Sequence, residues 1–158
     1  FSVIFLGLAT NWVAAGLRAM GDALPRPVAP DRLPGFARLV QPNVLDFADI
    51  ADWAWIVFVR PDPLDAEAVA VQQAAGAEFF RAAAAALDAC GDATLEADWP
   101  GVPAAVREAT GARGKGLFMP LRLALSGRSH GPGLPQLAAV LGLAECRRRL
   151  LAGADGLS

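Results

Sequence analysis

Proline and glycine partition this sequence into short segments rich in alanine and leucine. The chain of 158 residues carries 12 prolines and 16 glycines, no tyrosine, and few runs of β-branched residues. Proline cannot continue a helix and glycine ends one cheaply. The pattern therefore predicts an all-α domain of several short helices separated by tight connections. With 54% hydrophobic and 19% charged residues, the chain can bury a core and is not a disordered tail. Its longest uncharged apolar stretch, Phe1–Leu17, is interrupted by Ser2, Gly7, Thr10, Asn11 and Gly16. It is too short and soft for a membrane span and reads as a buried helix. No Lys or Arg precedes it, which disfavours a secretory signal.

Two cysteines, Cys90 and Cys146, give no disulfide framework, and one histidine makes a Cys/His zinc site or a Ser-His-Asp triad hard to build. The charge is polarised. Residues 1–100 hold 6 Lys/Arg against 13 Asp/Glu, a net −7, and residues 101–158 hold 8 against 3, a net +5. Such polarity suits an anionic partner at the basic end, or mutual attraction of the two halves.

Along the chain, residues 24–30 (LPRPVAP) form an extended linker. Asp31 starts a short helix over Leu33–Val40, and residues 41–43 (QPN) end it. Asp46 caps a helix in which Phe47, Ile50, Ala51 and Ala54 recur at helical spacing. The following run Trp53–Val59 is apolar on every side, so periodicity leaves helix end and strand open; its tryptophans read as core packing. Arg60-Pro61-Asp62-Pro63 is a turn. Asp65 caps a long helix over 66–89, with Gly76 as an interruption and with Phe79, Phe80, Ala83, Leu87 and Cys90 on its apolar side. A further helix covers 101–110, with Val102, Val106 and Ala109 on one face. Residues 110–116 (TGARGKG) form a basic glycine-rich loop. A helix over 119–125 follows, with Pro120 in its first turn and Gly127 just beyond its end. Helices over 134–141 and 145–151 complete the chain.

The glycine-rich loop is not a P-loop, because Leu117 stands after Lys115-Gly116 and no strand precedes it. Taken alone, it is a solvated turn. The second loop, residues 127–132 (GRSHGP), sets a cation, a hydroxyl, an imidazole and backbone amides at the entrance of a helix, a suitable place for phosphate or base edges. Arg122 reaches the same ligand or instead pairs with a carboxylate of the acidic half.

The stretch GKGLFMPLRLALSG at 114–127, followed by RSHGPGL at 128–134, resembles the end of bacterial-type glutamyl-tRNA synthetases. Their C-terminal anticodon-binding domain carries a similar G-K-x-L-F-x-P-L-R-x-A-L-T-G, then H-G-P-E-L and a leucine-rich helix. Leu141-Gly142, Glu145, Arg149 and Leu150 continue the likeness, which is clear over about 94–152 and weaker back to 39. The resemblance implies an all-helical anticodon-binding cage over 39–158, with residues 1–38 outside it. It implies that Gly131, Pro132 and Leu134 lie against an anticodon base, and that Lys115, Arg122 and Arg128 face backbone or base, with His130 in the same loop. The expected partner is a glutamate-accepting tRNA, with glutamine-accepting tRNA as a further possibility, and a synthetase catalytic domain upstream. Class I signatures for ATP are absent, so ATP and magnesium are expected to belong to that catalytic domain and not to these residues. Gly133 stands where the family often has Glu. The alternative is a stand-alone relative recruited as a structural subunit, with a protein partner at the apolar N-terminus. The expected compartment is the bacterial cytoplasm, or an organelle.

Overall fold

The computed structural model describes Ala15, residues 32–43 and residues 46–157. The apolar helix expected over Phe1–Leu17, the linker at 24–30 and the expected start at Asp31 lie outside the described residues, Ala15 apart. Among the described residues the chain is helical throughout, with no strand. It divides into two compact units, residues 1–60 and 61–158.

In the first unit, α1 spans Leu33–Val40, with Pro34 in its first turn and Phe36, Ala37, Leu39 and Val40 buried. A single 3-10 turn, Gln41–Asn43, follows. The next helix, α2, spans Phe47–Phe58. Its cap is the expected one, with the Asp49 amide donating to Asp46 Oδ1 at 3.0 Å. The ambiguous run 53–59 is thus helix through Phe58. Ile50, Trp53, Ala54, Ile56 and Val57 are buried, while Trp55 and Phe58 are half-buried. The Phe36 and Phe58 rings lie 5.1 Å apart, and the Arg32 guanidinium sits 4.8 Å over the Phe58 ring.

In the second unit, α3 (Ala66–Ala75) starts at Asp65, whose Oδ1 accepts from the Ala68 amide at 2.8 Å. The long helix expected over 66–89 is two helices. Gly76, at φ 84° and ψ 162°, turns the chain between α3 and α4 (Ala77–Ala86), a conformation only glycine adopts without strain. A 3-10 turn, Leu87–Ala89, closes α4. The short α5 (Leu95–Asp98) was not legible in the sequence; α6 (Gly101–Thr110) was. In α6 Val102 and Val106 are buried, whereas Ala109 is exposed, because only the first two turns of α6 are covered.

The helix α7 spans Lys115–Ser126 and begins four residues before the expected start at Met119. Its first turn closes on Gly114, whose carbonyl accepts from the Leu117 and Phe118 amides at 3.0 Å each. Pro120 is therefore inside the helix. It forfeits one bond, to the Gly116 carbonyl, and its own carbonyl accepts from Gln72 Nε2 of α3 at 3.2 Å. The last helices are α8 (Leu134–Leu141) and α9 (Leu143–Asp155). The start of α9 is set from a distance, since Asp92 Oδ1 accepts from the Leu143 amide at 2.9 Å.

Packing follows the apolar stripes. α4 lies against α6 and α9, α7 against α3 and α9, and α5 against α8. Leu117, Leu121 and Leu125 recur every four residues along α7 and are fully buried, as are Phe80, Leu87, Val102, Leu137 and Leu150. None of the described helices is long and apolar enough to cross a membrane.

Candidate nucleic-acid interface

The connection between α7 and α8 is built from the C-terminal end of α7. The last carbonyls of a helix have no partner within it and must find one elsewhere. Here Leu123 receives the Gly127 amide at 2.8 Å, Leu125 receives Arg149 Nη1 at 2.6 Å, and Ser126 receives the Asp62 amide at 2.9 Å. Gly127 takes the left-handed conformation expected of it, φ 77°. Its lack of a side chain does more than relieve strain. A Cβ there would lie 2.1 Å from the Asp62 carbonyl oxygen, so the 61–63 turn can dock only against glycine.

The loop 128–133 is held at both ends. At its start Ser126 Oγ accepts from the Arg128 amide at 3.1 Å and donates to the Arg122 carbonyl at 2.9 Å. At its far end Arg122 Nη1 donates to the Pro132 carbonyl at 2.8 Å. Arg122 is half-buried, and burial lowers its pKa from the usual arginine range. Its partner here is a backbone carbonyl, and not the carboxylate of the acidic half that was one of its two expectations.

Arg128 points back along the protein. Its Nε pairs with Asp62 Oδ2 at 2.7 Å, with each side chain about a third exposed. Together with the Arg147–Asp88 pair, this realises the attraction between the acidic and basic parts of the sequence. Pro132 and Leu134 are buried, whereas Ser129, His130, Gly131 and Gly133 are exposed. Six of the seven expected residues, Arg122, Arg128, His130, Gly131, Pro132 and Leu134, thus gather at one end of α7. Lys115 does not join them. It is exposed on the first turn of α7, about 10 Å along the helix from Arg122 and about 16 Å from Ser126 at about 1.5 Å per residue.

Two supports of this end were not read from sequence as site residues. Asp62 lies in a segment legible only as a turn, 64 residues before Ser126. Arg149 is nearly fully buried, with its side chain 1% exposed, and its Nε donates to Glu145 Oε1 at 2.8 Å. Glu145 also binds Arg148. Desolvation would raise the Glu145 pKa, but the hydrogen bonds and charges of Arg148 and Arg149 outweigh it and hold the carboxyl below its usual range.

The chain matches the family model described as an anticodon binding domain over residues 5–154. Curated relatives include glutamate–tRNA ligase 1 of Halorhodospira halophila, 44% identical over 69% of this chain and 23% of the relative. They also include glutamate–tRNA ligase 2 of Nitrosococcus oceani, 35% identical over 82% of this chain and 28% of the relative. The chain thus spans about a quarter of the length of these relatives. Among solved structures, a glutamate tRNA ligase from Elizabethkingia meningosepticum in complex with its amino acid shares the fold. The TM-score is 0.74 at 21% identity, covering 98% of this chain and 31% of that one. With this match across nearly its whole length and an all-helical architecture, the chain belongs to the anticodon-binding domain family.

Proposed function

We propose that this chain binds the anticodon arm of a glutamate-accepting tRNA and contributes tRNA selection to a glutamate–tRNA ligase. The observation that carries the reading is the Arg122–Pro132 clamp. It holds a loop whose exposed positions, Ser129, His130, Gly131 and Gly133, offer a hydroxyl, an imidazole and uncovered backbone to a splayed base. Arg122 then serves chiefly as a positioning residue for that loop, and Pro132 and Leu134 supply an apolar floor. Arg128, tied to Asp62, presents a fixed cation in place of a freely swinging one. The relatives' names support glutamate as the amino acid of the cognate tRNA.

The test is binding of the chain to glutamate tRNA in a salt series, with an anticodon-altered tRNA as control. Affinity should fall as salt rises and fall again with the altered anticodon. Arg122→Ala should weaken binding by about 1–3 kcal/mol and blunt anticodon discrimination, because the loop loses its far anchor. Binding that ignores the anticodon, in a chain shown to be folded, would overturn the proposal.

A further inference from the structure

The second unit contains nine Lys and Arg residues. Six are engaged. Arg81, Arg128, Arg147, Arg148 and Arg149 pair with carboxylates, and Arg122 holds a carbonyl. The other three, Arg107, Arg113 and Lys115, are exposed and make no such contact among the described residues. Arg113 lies in the loop between α6 and α7, and Arg107 and Lys115 flank it, with Glu108 the single carboxylate over residues 99–116. On the first turns of α7, in the same place, Phe118 is 46% exposed, the largest apolar side chain so uncovered among the described residues.

Helical spacing relates this patch to the loop already described. Lys115, Phe118 and Arg122 stand at i, i+3 and i+7 and share one stripe of α7. The stripe runs about 10 Å, the length of about three nucleotides stacked at about 3.4 Å each. An uncovered aromatic face beside unpaired cations fits a nucleobase with its phosphates, because bases stack on aromatic rings whatever their identity.

We propose that Phe118 is a stacking platform for a base of the bound RNA outside the anticodon-reading loop, with Arg107, Arg113 and Lys115 neutralising the adjoining phosphates. This rests on the tRNA-binding reading above. Binding to tRNA here is sequence-tolerant: the patch adds affinity and the far loop adds discrimination.

The experiment measures affinity of labelled glutamate tRNA for the full chain and its variants, with circular dichroism confirming the fold. Phe118→Ala should weaken binding about 5- to 150-fold, equally for the cognate and the anticodon-altered tRNA. Phe118→Leu should weaken it similarly, because it keeps an apolar body without a π-face, and Phe118→Trp should retain it. The slope of affinity against salt should be unchanged in the Phe118 variants and should fall by about 0.7–1 for Arg113→Ala and for Lys115→Ala. If the parent chain binds no tRNA, the function proposed above fails and this inference fails with it. If the parent binds and Phe118→Ala binds within twofold of it, this inference alone is overturned. If Phe118→Leu binds like the parent while Phe118→Ala does not, the contact is apolar packing and stacking is refuted.

Discussion

Gly127 and Gly111 form a natural control pair. Both end helices in the same backbone conformation, φ 77° and ψ 1°. They differ in surroundings. A Cβ on Gly111 would meet nothing within 4 Å, whereas one on Gly127 would meet three Asp62 backbone atoms at 2.1, 2.6 and 2.7 Å. Gly111→Ala should therefore cost only the left-handed strain, about 1–2 kcal/mol. Gly127→Ala incurs the same strain and in addition expels the 61–63 turn. The Asp62 amide bond to the Ser126 carbonyl is then lost, a net of about 0.5–1.5 kcal/mol. The partly exposed Arg128–Asp62 pair is weakened too, worth at most about 1 kcal/mol. Gly127→Ala should thus be less stable than Gly111→Ala by about 0.5–2.5 kcal/mol. Urea unfolding of both variants beside the parent measures this, with equal m-values as the condition for comparing midpoints. Equal losses in the two variants would refute the claim that close approach of Asp62, and not backbone conformation, makes glycine necessary at 127.

The acid limb of stability should depend on Glu145. Its carboxyl is held below its usual range when folded, so its contribution is present above the unfolded pKa and is lost as pH falls through the folded value. Glu145→Gln should lower the urea midpoint at pH 7 and flatten the decline below pH 5; an unchanged decline would contradict this. The two thiols should also differ. Burial pushes the Cys146 thiol up to about 12 and raises that of the half-buried Cys90. At pH 8 a disulfide reagent should label Cys90 first and Cys146 only at the rate of unfolding, and prompt double labelling of the folded protein would count against it.

The helical character of the chain was legible because it rests on local chemistry. Asp46 and Asp65 cap the helices that follow them through their own side chains, three residues away. Gly127 and Gly142 end helices because no other residue adopts their backbone angles at low cost. The candidate site, Lys115 apart, was legible as a list of residues because they lie close together in sequence, from Arg122 to Leu134, and resemble a known family's motif. The resemblance set the expected roles but carried no distances.

Several features lay beyond any local reading. Pro120 argued for a later start of α7, yet the helix begins at Lys115, since the first turn is closed by the Gly114 carbonyl and one lost bond is tolerated in a packed helix. The start of α9 depends on Asp92, 51 residues earlier in the chain. Arg122 read equally well as a ligand contact or an ion pair, and tertiary packing directs it to the Pro132 carbonyl. The docking of Asp62 on Gly127, and of Arg149 on the Leu125 carbonyl, joins segments 65 and 24 residues apart. Caps, breaks and stripes are decided within a turn or two, so the amino-acid order alone specifies them. The partners of orphan carbonyls and buried guanidiniums are chosen by whichever segments the folded core brings alongside, so they emerge only with the packed structure.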